Sequence, residues 1–313
     1  MGLGGCVAAP QSTLLIESFQ QQSEQNLALD IPSRLLLESV AFFPQELYQC
    51  GPAALATVLH SSAVLVQPEE LVSQVYVPAR QGSLQIEMLA AARRYGRIAY
   101  VLPPSLEVLL QELDSGRPVL VMQNLGLKRF PQWHYAVAVG YDFFEKELIL
   151  RSGVVKDYRM KLQTFERTWQ RADHWAVVLL APGELAADVD EAAYFDAVSA
   201  FARVADEEAL SAAYAAGLKR WPASSTLGMG LGNLHYQKQR LSKAAQSYST
   251  VLRYSPNYAA AHNNLAQVLL ELDSLNEAQR HAEMAVAIGG TFADNYKKTL
   301  ATINRLLAEQ ANN

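Results

Sequence analysis

Only two of the 313 residues are cysteine, Cys6 and Cys50, too few for a disulfide framework to hold the fold together. Cationic side chains are also in the minority, 26 Lys and Arg against 31 Asp and Glu for a net charge of -5. No basic surface for a phosphate backbone follows from such a balance, so nucleic acid is excluded as an expected partner. No run approaches the roughly 20 apolar residues of a spanning helix. A Walker loop, a dinucleotide fingerprint and a metal-ligand cluster are all missing, and no cofactor is expected. What the chain has is apolar content, 50% of its residues, enough at this length for two cores and two domains.

The two cysteines sit in different settings. Cys6 ends Leu3-Gly4-Gly5-Cys6, which resembles the lipobox of bacterial lipoproteins, where the cysteine carries the lipid. That resemblance implies a periplasmic protein anchored, through a lipid on Cys6, to the outer membrane. The Gln- and Ser-rich residues 7–25 then read as a tether, and residues 1–38 as lipobox remnant and tether.

Residues 39–184 read as α+β. Helices are predicted from Gly51, over 86–95 and over 105–115, and strands over 118–123, 134–141, 147–152 and 175–180, where Val, Ile and Tyr concentrate between turn residues. After Pro182-Gly183 the β-branched runs stop and Ala, Leu, Tyr and Gln take over, which places the domain boundary near residue 185. In residues 185–313, Pro222, Pro256 and Gly290 stand 34 apart, Tyr214 and Tyr248 keep the same step, and so do Ala244 and Ala278. That period resembles the tetratricopeptide repeat. Leu231-Gly232, Ala244, Tyr248, Leu252 and Pro256 fill its positions in order, with a first copy over 189–222 and a terminal helix over 291–308. The resemblance implies a surface for a protein partner.

Gln45-Glu-Leu-Tyr-Gln-Cys50-Gly-Pro-Ala-Ala-Leu puts a cysteine at the start of a predicted helix: Gly51 permits a tight turn, and Pro52 suits a first helical turn. A helix N-terminus carries partial positive charge, and with an imidazolium nearby it lowers a thiol pKa from about 8.5 toward roughly 3.5–7.5. Downstream, Trp133-His134-Tyr-Ala-Val-Ala-Val-Gly-Tyr-Asp142 reads as an alternating strand with histidine at its first residue, a rigid mount for a general base. His60 falls at the end of the cysteine's helix, His174 beside a terminal strand, and His235, His262 and His281 in the repeats, all worse placed. Gln45, five residues before Cys50, is a candidate oxyanion donor, worth about 3 kcal/mol in such a role; Gln49 is the alternative. The loop Gln123-Asn-Leu-Gly-Leu-Lys-Arg-Phe-Pro-Gln-Trp133 leads into His134, so Phe130 and Trp133 either line a cleft or pack.

Together these motifs make residues 40–160 similar to the papain-like, double-glycine (bacteriocin-processing) cysteine peptidases of family C39. The resemblance implies peptide-bond cleavage after small residues, with Cys50 as nucleophile, His134 as base and Gln45 at the oxyanion. The family's glutamine stands one residue further upstream, and where the family carries Asp on the following strand, this chain carries Ser152. Asp142 is about 26 Å away along an extended strand; Asp157 reaches only if the chain folds back after Gly153. A serine fixes the imidazole tautomer without stabilising imidazolium, and loss of the carboxylate costs a serine triad about 10⁴. Three functions remain open: an active peptidase whose repeats present a protein or peptide substrate, a catalytically weak peptide-binding scaffold, and an acyl or amide transferase using the same thiol.

Overall fold

The computed structural model describes residues 9–25, 31–44 and 50–311, and the chain divides into two compact units between Ala205 and Asp206. In chain order the first unit holds α1 (Pro10–Glu24), β1 (Arg34–Leu36), α2 (Cys50–Ser61), α3 (Pro68–Val75), β2 (Tyr76–Val77), β3 (Gly82–Ser83), α4 (Gln85–Arg94), β4 (Ile98–Val101), α5 (Leu106–Asp114), β5 (Val119–Asn124), β6 (Trp133–Asp142), β7 (Glu147–Ser152), β8 (Val155–Lys161), α6 (Leu162–Gln170), β9 (Ala176–Leu180) and α7 (Glu191–Phe201). The second holds α8 (Glu207–Arg220), α9 (Ser225–Gln237), α10 (Leu241–Tyr254), α11 (Ala259–Glu271), α12 (Leu275–Ile288) and α13 (Ala293–Ala311). This is the α+β domain followed by a helical region expected from the sequence. Among the described residues no helix is long and apolar enough to cross a membrane.

A seven-stranded antiparallel sheet in the order β4-β9-β5-β6-β7-β8 forms the centre of the first unit, with β1 pairing the far end of β6. The strand β6 is buried from Tyr135 to Asp142, so its Val and Ala side chains serve the cores on both faces. On one face lies α2, whose residues Gly51 to Leu59 are all buried. Its alanines at 53, 54 and 56 bring the helix close to the sheet, while Leu55, Val58 and Leu59 fill the space between. Gly140 is required where it stands: a Cβ there would lie 2.2 Å from the Leu35 carbonyl oxygen and block β1 from pairing. The edge strand β8 is exposed except at Met160 and carries Lys156, Arg159 and Lys161, charges that discourage a second chain from pairing there.

The amino-terminal segment differs from the sequence expectation. Residues read as a tether form α1, whose first turn is docked on the buried Glu166 of α6. That carboxylate accepts from the Gln11 N–H (3.0 Å), the Ser12 N–H (2.7 Å) and the Ser12 hydroxyl (2.6 Å). Each bond to a carboxylate is worth about 1.5–3 kcal/mol, which offsets the several kcal/mol of burying the charge. Gln11 adds a bond from its Nε2 to the Pro104 carbonyl and accepts the Leu106 N–H.

The unit division also falls later than the change of composition near 185. Residues 185–201 stay with the first unit: Ala187 donates to Glu112, Asp190 donates to the Tyr100 hydroxyl, and α7 buries Tyr194, Val198 and Phe201 while packing on β4. The helix read as the opening of the first repeat is thereby part of the sheet domain.

In the second unit the helices pair as antiparallel neighbours, α9 with α10 and α11 with α12, and α13 closes the stack. Small residues sit where helices cross. A Cβ on Gly232 would come within 2.4 Å of the Tyr248 ring, and Ala244, Ala278 and Ala282 are fully buried. The terminal α13 buries Tyr296 and Ile303 and leaves its other face polar, as an end cap requires.

Candidate active site

Cys50 is the first residue of α2, and Pro52, in the first turn, gives up no hydrogen bond there. The tight start depends on Gly51, because a Cβ would lie 2.1 Å from Ser83 Oγ at the end of the β2–β3 hairpin. Ser83 is held in turn by β6, through the Tyr135 hydroxyl, which donates to its carbonyl oxygen at 3.2 Å. The Ser83 hydroxyl itself is shielded and has no partner among the described residues. Only the missing Cβ at position 51 hinted at this approach in the sequence.

The thiol of Cys50 lies near the backbone N–H groups of Tyr135, of Gly51 and of its own residue, each of which favours the thiolate. Tyr135 follows His134, so the start of α2 and the start of β6 meet at the thiol. His134 is opposite Gln123 on β5 and near Ser152, the last residue of β7. Its Nε2 lies 2.8 Å from Ser152 Oγ, a contact that fixes the ring and leaves Nδ1 as the second nitrogen.

The carboxylates weighed from the sequence are engaged elsewhere. Asp142 pairs with Arg34 at 3.0 Å and accepts the N–H groups of Phe144 and Glu145. Asp157 pairs with the buried Arg151, whose guanidinium also donates to the Val40 and Lys156 carbonyls. The chain does fold back after Gly153, as the β7–β8 hairpin, but the fold-back delivers Asp157 to Arg151 and not to His134. Of the remaining histidines, four have structural partners, while His235 in α9 has a buried Nδ1 with no hydrogen-bond partner among the described residues. His60 Nε2 contacts Val66, His174 packs edge-on to Trp169, and His262 and His281 face each other through their Nδ1 atoms at 2.9 Å. Gln45, Gln49 and Cys6 lie outside the described residues.

Electrostatics at the pair depart from the expectation of a lowered thiol pKa. Burial pushes the Cys50 thiol up, against the three N–H groups that stabilise thiolate; burial likewise pushes the His134 imidazole down. Desolvation disfavours charge on either partner, so burial favours neutral thiol with neutral imidazole over an ion pair. It follows that iodoacetamide alkylation of Cys50 in the folded protein rises with pH through and beyond the ordinary thiol range. Mass spectrometry of the Cys50 peptide across pH 6–10 reads this directly, and a plateau already reached below pH 7 would contradict it. Among the described residues no cluster of three or more His, Cys, Asp or Glu could hold a metal ion.

Phe130 and Trp133 are 71% and 54% exposed and do not pack into a core. The loop that carries them stands at the same end of the sheet as His134 and Ser152.

Comparison with known proteins places these two regions separately. Residues 37–177 match the family profile described as "Peptidase_C39 like family", and residues 232–273 match the one described as "TPR repeat". No curated protein matches the chain. Similar solved structures include a C39-like peptidase from Bacillus anthracis, at 18% identity and a TM-score of 0.40, covering 47% of this chain and 97% of that one. They also include the first TPR of Spaghetti (RPAP3) bound to an HSP90 peptide, at 15% identity and a TM-score of 0.34, covering 38% of this chain and 93% of that one. The first TPR domain of human RPAP3 is similar at 15% identity and a TM-score of 0.35, covering 39% and 95%. The chain thus joins a domain that matches the Peptidase C39-like family over residues 37–177, with Cys50 and His134 at the meeting of its helix and sheet, to a helical region that matches the TPR repeat over residues 232–273.

Proposed function

We propose that the first unit is a cysteine peptidase in which Cys50 is the nucleophile and His134 the base, and that the repeats recruit a protein substrate or partner. The observation that carries this reading is the 2.8 Å contact between His134 Nε2 and Ser152 Oγ, at the strand end beside which the Cys50 thiol is held. With Nε2–H donating to the serine oxygen, Nδ1 keeps its lone pair for the thiol proton. In the reaction Sγ–H passes its proton to Nδ1 as Sγ adds to the scissile carbonyl carbon. The imidazolium then protonates the departing amine as the C–N bond breaks, leaving a thioester on Cys50. Water, deprotonated by His134, cleaves the thioester and restores the thiol. The N–H groups at the start of α2 are suited to the developing oxyanion, with Gln45 as the proposed side-chain donor. Small residues before the cut, Gly-Gly among them, are the proposed preference. Lipid attachment at Cys6 and a periplasmic location belong to the same proposal.

A second reading, a weak peptidase retained as a peptide-binding scaffold, is favoured by two observations: Ser152 supplies no negative charge to the imidazole, and burial favours the neutral thiol. Ser152→Asp separates the two. A charge-assisted bond in place of a neutral one is worth roughly 1–1.5 kcal/mol more, so turnover should rise about tenfold and the alkylation profile should shift to lower pH. If turnover is absent in both forms, the scaffold reading stands.

A further inference from the structure

The end of the sheet that carries His134 and Ser152 also presents large apolar side chains to solvent. Leu127 and Phe130 are each 71% exposed, Trp133 54% and Val154 75%, with Leu125 and Val155 exposed beside them. These come from two neighbouring connections, the 125–132 loop between β5 and β6 and the turn between β7 and β8. Exposed apolar residues in such numbers on one rim mark a surface meant for a partner.

The loop is held rigid from within. Asn124 Oδ1 accepts the N–H groups of Gly126 (3.0 Å) and Gln132 (2.9 Å), Leu125 donates to the Gln132 carbonyl, and Phe130 donates to the Leu127 carbonyl. Gly126 is needed for this closure, since a Cβ there would lie 2.4 Å from the Phe130 carbonyl oxygen. Leu127 and Phe130 therefore project from a fixed tip.

Cations accompany the apolar side chains. Lys128 and Arg129 lie between Leu127 and Phe130, and Lys156 follows Val155. None of the three has an ion pair among the described residues. Arg171 adds a fourth at the base of the loop, bound to the Asn124 carbonyl at 2.9 and 3.1 Å. No Asp or Glu occurs in residues 125–135 or 152–156, in a chain whose net charge is -5. Asp157, the next residue along β8, is paired with the buried Arg151, which leaves the cations of the tip unmatched by a free carboxylate within these two segments.

We propose that this rim docks on the surface of an anionic phospholipid bilayer, with Leu127, Phe130 and Trp133 entering the headgroup region and Lys128, Arg129 and Lys156 meeting lipid phosphates. Trp and Phe favour the membrane interface, and each Lys or Arg near an anionic leaflet adds to the attraction. Docking of this kind would hold Cys50 and His134 at the membrane surface, and it does not depend on cleavage taking place.

The test is co-sedimentation of the full chain, carrying Cys6→Ser so that no acyl group contributes, with vesicles. Phosphatidylcholine vesicles containing about one part in three phosphatidylglycerol are compared with phosphatidylcholine alone. The anionic vesicles should retain the protein at least about tenfold better, and high salt should release it. Leu127→Ser with Phe130→Ser, and separately Lys128→Glu with Arg129→Glu, should each weaken retention by about tenfold or more. Their side chains are exposed, so folding is spared. Cys50→Ala should bind vesicles as well as its parent, which keeps this result independent of the peptidase reading. No retention by anionic vesicles would overturn the proposal. So would retention unchanged in both double variants, including the case where those variants instead slow reaction of Cys50 with a soluble peptidyl probe, which would make the rim a peptide subsite.

Discussion

Cys50→Ala should abolish proteolysis, with turnover falling by at least about 10³-fold while the folded structure is kept. The side chain is half-buried at the first position of α2 and makes no bond that holds the helix; its partners are backbone N–H groups that stabilise a thiolate. Alanine removes the atom that forms the thioester and leaves a small methyl in its place, so chemistry is lost with little cost to packing. Removing the nucleophile of a catalytic set leaves only what the oxyanion donors and binding supply. Peptides released from candidate protein substrates by wild type and by the variant, compared by mass spectrometry, read the effect while the natural substrate is still unidentified. A product set identical in the two would place the activity elsewhere.

His134→Ala should lower turnover nearly as far, by about 10³-fold or more, for a different reason. Burial raises the thiol pKa and lowers that of the imidazole, so the proposed attack relies on a base acting in the transition state rather than on a preformed thiolate. A site resting as an ion pair would keep some nucleophile in other ways; the proposed mechanism depends on proton transfer to Nδ1. The residual activity of the variant should therefore climb with pH as hydroxide takes the place of the base, whereas wild type levels off. Steady-state rates from pH 6 to 10 in the two proteins show it, and parallel profiles would remove His134 from the mechanism. Loss of the two members together should cost little more than either alone, since they act as a unit.

Much of this site is legible in the order of the amino acids. Gly51 and Pro52 signal a helix starting at position 50, and alternation from His134 to Tyr141 signals a strand, because both patterns are local. The step of 34 residues marks the stacked helical pairs for the same reason. Three features are out of reach of local patterns because they depend on distant parts of the chain. The Gln- and Ser-rich segment before residue 25 has a weak helical pattern of its own, and it becomes α1 through Glu166, 154 residues away from Ser12. The helix α7 looks like part of a repeat, yet Tyr194, Val198 and Phe201 are buried in the first unit, where α7 packs on β4. The thiol pKa is raised by burial, a property of the folded chain, against the N–H groups at the helix start that the sequence displays. Ser152 is legible as a departure from the family's carboxylate, and the fold sets it 2.8 Å from the imidazole.

Intact-mass analysis of the protein with a peptidyl vinyl sulfone ending in glycine tests the thiol–imidazole pair most directly. One adduct should form at neutral pH, map to the Cys50 peptide, and be lost in His134→Ala, although that variant still takes up iodoacetamide at position 50 once unfolded. Equal labelling of wild type and His134→Ala, or a folded wild type that takes no probe while its unfolded chain is fully alkylated, would contradict the account.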